Sequence, residues 1–260
     1  METTHDYTTI YCQSCGHSHA IPVRCGRRFC AICSKQASAR TRRRLEWICD
    51  KMVKPNKHSW KFVTLTLVSR DDLSAMVDDL IRGFRKLRGR KLWSDAVTGG
   101  VYVLEVTHTT RGWHAHLHII AMMRYVPQRW LSATWKSITG SMIVDIRQIK
   151  GRSPIGYVTH YLTTFDLPPA IVQNAEDAVR NRRLWSPFGT AHDLNLTYVP
   201  PTYPCPHCGE YSFKKLKVSR ASKAHQHALG EFWHVVRTCG VCGTQDDLGL
   251  DAEGDIVYGG

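Results

Sequence analysis

No apolar run in this 260-residue chain reaches the roughly 18 residues that a membrane-spanning helix needs, which excludes a membrane span. The opening stretch METTHDYTT is polar and lacks the apolar core of a secretory signal, so a cytoplasmic protein is expected. Carboxylates are scarce: 22 Asp and Glu stand against 35 Lys and Arg, a formal charge of +13 and a sequence pI of about 9.4. An imbalance of that size implies a polyanionic partner. A basic amphipathic helix with a bulky apolar face and a lipidation motif are both lacking, so nucleic acid is favoured over an acidic membrane surface. Cysteine is missing from about Lys51 to Tyr203, and nine of the ten cysteines lie in the two ends, eight of them in C-x-x-C pairs. In a chain without a secretory signal this pattern points to metal sites rather than disulfides.

With 43% hydrophobic and 22% charged residues, the composition is that of a globular protein with ample chain for a core. Cysteine density divides the sequence into three: a Cys- and Arg-rich zinc-binding module over residues 1–50, a main domain over 51–203, and a zinc ribbon over 204–260. Within the main domain, Lys61 to Val68 is β-branched and apolar and predicts a strand. Asp71 and Asp72 open a helix whose apolar positions Leu73, Met76, Val77, Leu80, Ile81, Phe84 and Leu87 recur at helical spacing to Gly89. Val101 to Thr107 and Trp113 to Met122 predict an antiparallel hairpin, Pro127 to Ile138 a helix closed by Gly140, and Met142 to Ile149 another strand. Ser153 and Pro154 start a short helix running to about Phe165. This order predicts an α+β fold, an antiparallel sheet with helices packed on it.

In Trp113-His114-Ala115-His116-Leu117-His118 three histidines alternate, and a strand's period of two sends all three to one face. Such a set is either a solvated polar face or a place for a cation; three imidazoles on an otherwise apolar strand favour the cation. Glu105, a lone acid in the apolar run of the partner strand, faces the histidines if the hairpin pairs as expected. An oxygen beside two imidazoles favours Mg or Mn, with Zn as an alternative. On the short helix, Tyr157 and Tyr161 share a face at i, i+4. By themselves they read as packing residues; beside a metal-polarised phosphate, a tyrosine becomes a nucleophile.

The ends carry their own pattern. Cys12-x2-Cys15-x14-Cys30-x2-Cys33 has the spacing of a tetrahedral zinc site, with Cys25, His17 and His19 as alternative ligands. Cys205-x2-Cys208 and Cys239-x2-Cys242, 30 residues apart, read as a second zinc site of ribbon type. Eight Lys or Arg and no acids lie between Ile21 and Arg44, a run that next to a zinc knuckle favours phosphate contact. Cys49, alone in an apolar helix-like stretch, reads as a core residue.

The succession Phe62-Val63-Thr64-Leu65-Thr66, then Glu105 with His116-Leu117-His118, then Tyr157 and Tyr161 resembles the three motifs of the HUH endonuclease superfamily. It is most similar to rolling-circle replication initiators of plasmids and small single-stranded-DNA phages and to the related transposases. The resemblance spans Lys61 to Thr164, and Cys25-x4-Cys30-x2-Cys33 followed by arginines is similar to a Cys-rich segment upstream in some members. It implies a ferredoxin-like or RNA-recognition-like sheet, a metal pair His116 and His118 with Glu105 as third ligand and His114 as an extra, Tyr157 as first nucleophile and Tyr161 as second. The family's lysines on this helix are replaced by His160 and Thr164, which leaves one-tyrosine and two-tyrosine mechanisms both open; His160 is then a candidate for phosphate contact or proton transfer. The implied activity is nicking of single-stranded or hairpin origin DNA through a 5′-phosphotyrosine, in the host cytoplasm for a plasmid or phage protein. A host helicase and polymerase are the implied partners, since the chain has no helicase motif. The competing readings are a transposase using the same chemistry and a non-enzymatic zinc-ribbon DNA-binding regulator.

Overall fold

The computed structural model describes residues 7–22, 27–150, 154–158, 167, 169–202, 204–217, 248–250 and 256–258. Two compact units divide the chain: residues 1–40 together with 199–260, and residues 41–198. This division joins the two ends, which the sequence reads as separate modules. No helix among the described residues is long and apolar enough to cross a membrane.

The larger unit is built on a five-stranded, wholly antiparallel sheet. Its strands are β3 (Ser59–Thr66), β4 (Val97–Thr109), β5 (Gly112–Met123), β6 (Val144–Gln148) and β7 (Trp185–Gly189), in the order β6-β3-β5-β4-β7. The α+β class and the helix-packed antiparallel sheet are as the sequence predicts. The expected hairpin is longer than its apolar runs, because pairing continues to Thr109 opposite Gly112. Gly112 there has φ +96°, a left-handed conformation that favours a residue without Cβ, and it closes the tight turn at the end carrying the histidines.

Alternation sorts the side chains to two faces. Val63, Leu65, Leu104, Val106, Leu117 and Ile119 are buried on one, where α2 (Leu73–Arg88) packs beside α4 (Gln128–Thr139). Helix α2 starts as the sequence predicts: Asp72 accepts a hydrogen bond from the Ala75 N–H, offsetting one of the unsatisfied first-turn amides. Phe84 from this helix meets Tyr102 and Phe188 edge-on. The short helix α3 (Lys91–Ala96) adds buried Trp93 to the same aromatic group.

On the opposite face Phe62, Val101, Val103, Ile120 and Met122 form a core with Leu45, Ile48, Cys49 and Met52 of α1 (Ala31–Lys51) and with Ile155 and Val158. After α5 (Pro169–Val179), strand β7 and α6 (Thr190–Leu196) complete this unit, with Ala191 entering the same core. Arg44, expected to contact phosphate, is used internally: it lies over the rings of Tyr198 and Trp185 and donates to the Asn195 carbonyl.

The smaller unit has a three-stranded antiparallel sheet, β2-β1-β8, from β1 (Tyr7–Cys12), β2 (Ser18–Pro22) and β8 (Phe213–Lys217). Strands β9 (Leu248–Leu250) and β10 (Ile256–Tyr258) pair antiparallel.

Candidate active site

The middle strand of the larger sheet carries the histidines, so both of its neighbours supply side chains to them. Across β3, Thr64 stands opposite His118 and Thr66 opposite His116; across β4, Glu105 stands opposite His116. Paired residues on an antiparallel sheet project to the same side, and all five groups therefore share one face. The Thr66 Oγ1 lies 2.8 Å from His116 Nδ1, and the Thr64 Oγ1 lies 3.3 Å from His118 Nδ1. Each ring is thereby held through Nδ1, with Nε2 as the nitrogen away from the threonine. The Nε2 of His118 meets Glu105 Oε2 at 2.8 Å, a diagonal contact between neighbouring strands.

Thr66 is itself held from behind. Its carbonyl accepts hydrogen bonds from Trp135 Nε1 and Ser141 Oγ, both at 2.9 Å, so the end of β3 is tied to α4 and to the turn that follows it. Burial pushes His116 down to about 4; Glu105 opposes the shift, and His118 and His114 add to it. His116 is consequently a neutral imidazole at neutral pH, with a lone pair to offer. His114 lies one pair further toward the turn, stacked on His116 with 6.2 Å between ring centroids, and its Nε2 faces the hydroxyls of Ser69 and Thr109.

Phe62 extends the same face. Its ring stacks on His118 with 5.6 Å between centroids and 8° between planes, and it also neighbours Tyr157 at 5.8 Å. Residues 156–158 are helical, anchored by buried Ile155 and Val158, while Tyr157 between them is exposed. The Arg147 guanidinium also lies over Phe62, 5.9 Å from the ring centre, paired to Asp145. Tyr161 and His160 lie outside the described residues. Sequence reading assigned no role to Thr64 or Thr66, although their period-two spacing with Phe62 was the available signal.

The donor set of one carboxylate and two imidazoles suits a hard or borderline divalent cation. Glu105 and His118, in contact at 2.8 Å, would supply the first two ligands of such an ion. His116, with 5.9 Å between its ring centroid and that of His118, is next in line.

The cysteines assemble differently from the expectation. Sulfurs of Cys12, Cys15, Cys205 and Cys208 all lie within 4.8 Å of one another, the group among the described residues whose ligand atoms converge closely enough to hold a metal ion. Spacing paired Cys12 and Cys15 with Cys30 and Cys33; the β1–β8 pairing instead brings the tail's first C-x-x-C to them. Cys30 and Cys33 sit at the start of α1, where the Cys33 N–H points at Cys30 Sγ, 3.5 Å away. Cys25, Cys239 and Cys242, and the side chain of His19, lie outside the described residues. His17 stacks on His207, with 5.4 Å between centroids.

The family model described as "Replication protein" matches residues 19–154. Curated relatives named "Protein rep" include one from a Bacillus species, 28% identical over 145 residues, covering 50% of this chain and 47% of its own length. A second, from Bacillus amyloliquefaciens, is 28% identical over 145 residues (50% of this chain, 43% of the relative), and a third, from Streptococcus pneumoniae, is 26% identical over 144 residues (48% and 45%). The matched region spans under half the length of these relatives. No solved structure matches.

Proposed function

Because the chain belongs to the replication protein family, whose model covers residues 19–154, we propose that it initiates rolling-circle replication by nicking single-stranded origin DNA. The observation that carries this reading is the common sheet face on which Phe62 links the ring of His118 to the phenol of Tyr157. A nucleophile and a cation-binding pair on one surface are what attack on a phosphodiester requires.

In this proposal His116, His118 and Glu105 hold a Mg or Mn ion, with His114 at the edge of the set. When bound there, the ion would supply Lewis-acid polarisation of the scissile phosphate. Thr66 and Thr64 keep the two imidazoles oriented through Nδ1. The Tyr157 oxygen attacks phosphorus, its phenolic proton leaves, and the bond from phosphorus to the 3′ oxygen breaks. The DNA 5′ phosphate is then joined to tyrosine, and the departing 3′ oxygen takes up a proton to become a hydroxyl able to prime synthesis. Tyr161 is the candidate for the second attack that releases and closes the displaced strand, and His160 for moving a proton between the two tyrosines. Base contacts on melted or hairpin DNA select the site, since the reacting ester must be reached as a single strand. A helicase and a polymerase of the host complete the reaction cycle.

The test is to incubate the protein with end-labelled single-stranded origin DNA and Mn or Mg, then map the DNA-linked residue by mass spectrometry. A covalent adduct on Tyr157 is expected. A mobility shift with no adduct, under conditions where the DNA is bound, leaves a DNA-binding regulator instead.

A further inference from the structure

The cysteine group in the smaller unit stands apart from the proposed nuclease chemistry and has the properties of a finished metal site. Two short segments build it, Cys12-Gln13-Ser14-Cys15-Gly16 and Cys205-Pro206-His207-Cys208-Gly209, nearly two hundred residues apart. They fold alike. In each, the glycine N–H returns to the carbonyl of the first cysteine (Gly16 to Cys12, 2.9 Å; Gly209 to Cys205, 2.7 Å). In each, the N–H of the first cysteine donates to the residue after the glycine (Cys12 to His17, 2.8 Å; Cys205 to Glu210, 2.7 Å). Gly16 and Gly209 have φ of +72° and +78°, with open space where a Cβ would stand. Glycine is needed there for the backbone conformation rather than for room.

The sulfurs face each other across this pair of turns. Cys12 Sγ is 3.5 Å from Cys208 Sγ, and Cys15 Sγ is 3.7 Å from Cys205 Sγ. A disulfide needs about 2.05 Å, whereas a tetrahedron with metal–sulfur bonds of about 2.3 Å has edges of about 3.8 Å. The observed separations are those of a tetrathiolate.

We propose that Cys12, Cys15, Cys205 and Cys208 bind one structural zinc ion that fastens the N-terminal segment to the C-terminal one. The four thiols give up their protons as the ion binds, and all four coordination positions are filled by protein, which leaves no place for substrate. The clasp secures β1 as the central strand of its sheet: without β8, β1 becomes an edge with unpaired amides. Head and tail are therefore one folding unit whose integrity depends on the metal.

Zinc content of the purified full-length chain distinguishes a shared site from two separate ones. Cys15→Ala and Cys205→Ala should each lower bound zinc by one equivalent, and the double variant should lose no more than either single variant. Loss of two equivalents in the double variant, or no loss in one of the singles, overturns the proposal. Should the variants fail to fold, zinc-loaded wild-type protein titrated with a chelator and alkylated with iodoacetamide gives an independent answer. Peptide mapping should find Cys12, Cys15, Cys205 and Cys208 becoming reactive together as zinc is withdrawn; release of one pair while the other stays protected overturns it.

Discussion

The hydroxyl of Thr66 and the Nδ1 of His116 lie 2.8 Å apart, on residues directly opposite each other in neighbouring strands. That contact sets which imidazole nitrogen is turned outward, and Thr66 is in turn immobilised by Trp135 and Ser141. Under the proposed function Thr66 is a positioning residue for the cation pair. Thr66→Val preserves shape but removes the hydroxyl, and it should raise the divalent-ion concentration needed for half-maximal cleavage by roughly 10- to 100-fold. Saturating metal should restore most of the rate, and Thr66→Ser should behave like wild type. A fall in rate that excess metal leaves untouched contradicts this role.

The two tyrosines are expected to separate in kinetics. Tyr157→Phe should abolish the covalent adduct while leaving DNA affinity and thermal stability near wild type, because the phenol is exposed and its ring contact with Phe62 survives. Tyr161→Phe should allow first cleavage and impair strand transfer. Gel analysis of adduct and transfer products decides it, and equal loss in both variants refutes the division of labour.

Removing either proposed ligand should disconnect binding from chemistry. His116→Ala and His118→Ala are expected to eliminate Mg- or Mn-dependent cleavage yet bind origin DNA with affinity within a few fold of wild type, read by fluorescence anisotropy beside the cleavage assay. Cleavage that persists in either variant argues against the pair as ligands.

Acid stability has a local contribution from α2. Arg182 forms a forked pair with Asp78, 2.8 and 2.7 Å, and a further bond to Ser74, which ties the segment after α5 to α2. The Arg182 hydrogen bond holds the Asp78 carboxyl below its usual value. A depressed folded-state value means that the contribution is complete above the unfolded carboxylate range near pH 4 and is lost as pH falls through the folded value. Asp78→Asn should therefore lower stability, and with it Tm, at neutral pH; the loss should be under about 1 kcal/mol because the pair is partly solvent-exposed. Thermal melts should show that difference shrinking to nothing in acid; a constant difference at all pH values contradicts the linkage.

Burial, with Asp50 and Glu46 nearby, pushes the Cys49 thiol up to about 12. Its thiolate is scarce at neutral pH, so native protein treated with iodoacetamide should leave Cys49 unmodified until denaturant is added. Peptide mapping that finds Cys49 alkylated at the rate of an exposed thiol opposes its placement in the core.

Much of the larger unit was readable from local pattern. The Asp72 cap, the apolar face of α2 and the alternation along β5 are set by neighbours within a few residues, and short-range periodicity reports them directly. Strand β7 escaped this reading because Pro187 interrupts it; such a residue is tolerated only at an edge, and β7 is the edge beyond β4. Helix α1 was visible only as a basic run and an apolar stretch around Cys49, since its buried positions become meaningful once the sheet they cover is present.

The sequence by itself determined the alternating histidines, the acid in the facing strand and the composition of each C-x-x-C turn, because all of these depend on spacing along one segment. Only the tertiary structure decided that Thr64 and Thr66 orient the imidazoles, that Phe62 brings Tyr157 to their face, and that Cys12 and Cys15 meet Cys205 and Cys208. The physical reason is strand pairing. Hydrogen bonding between distant strands chooses partners by register, and register is a property of the folded sheet that no local pattern contains.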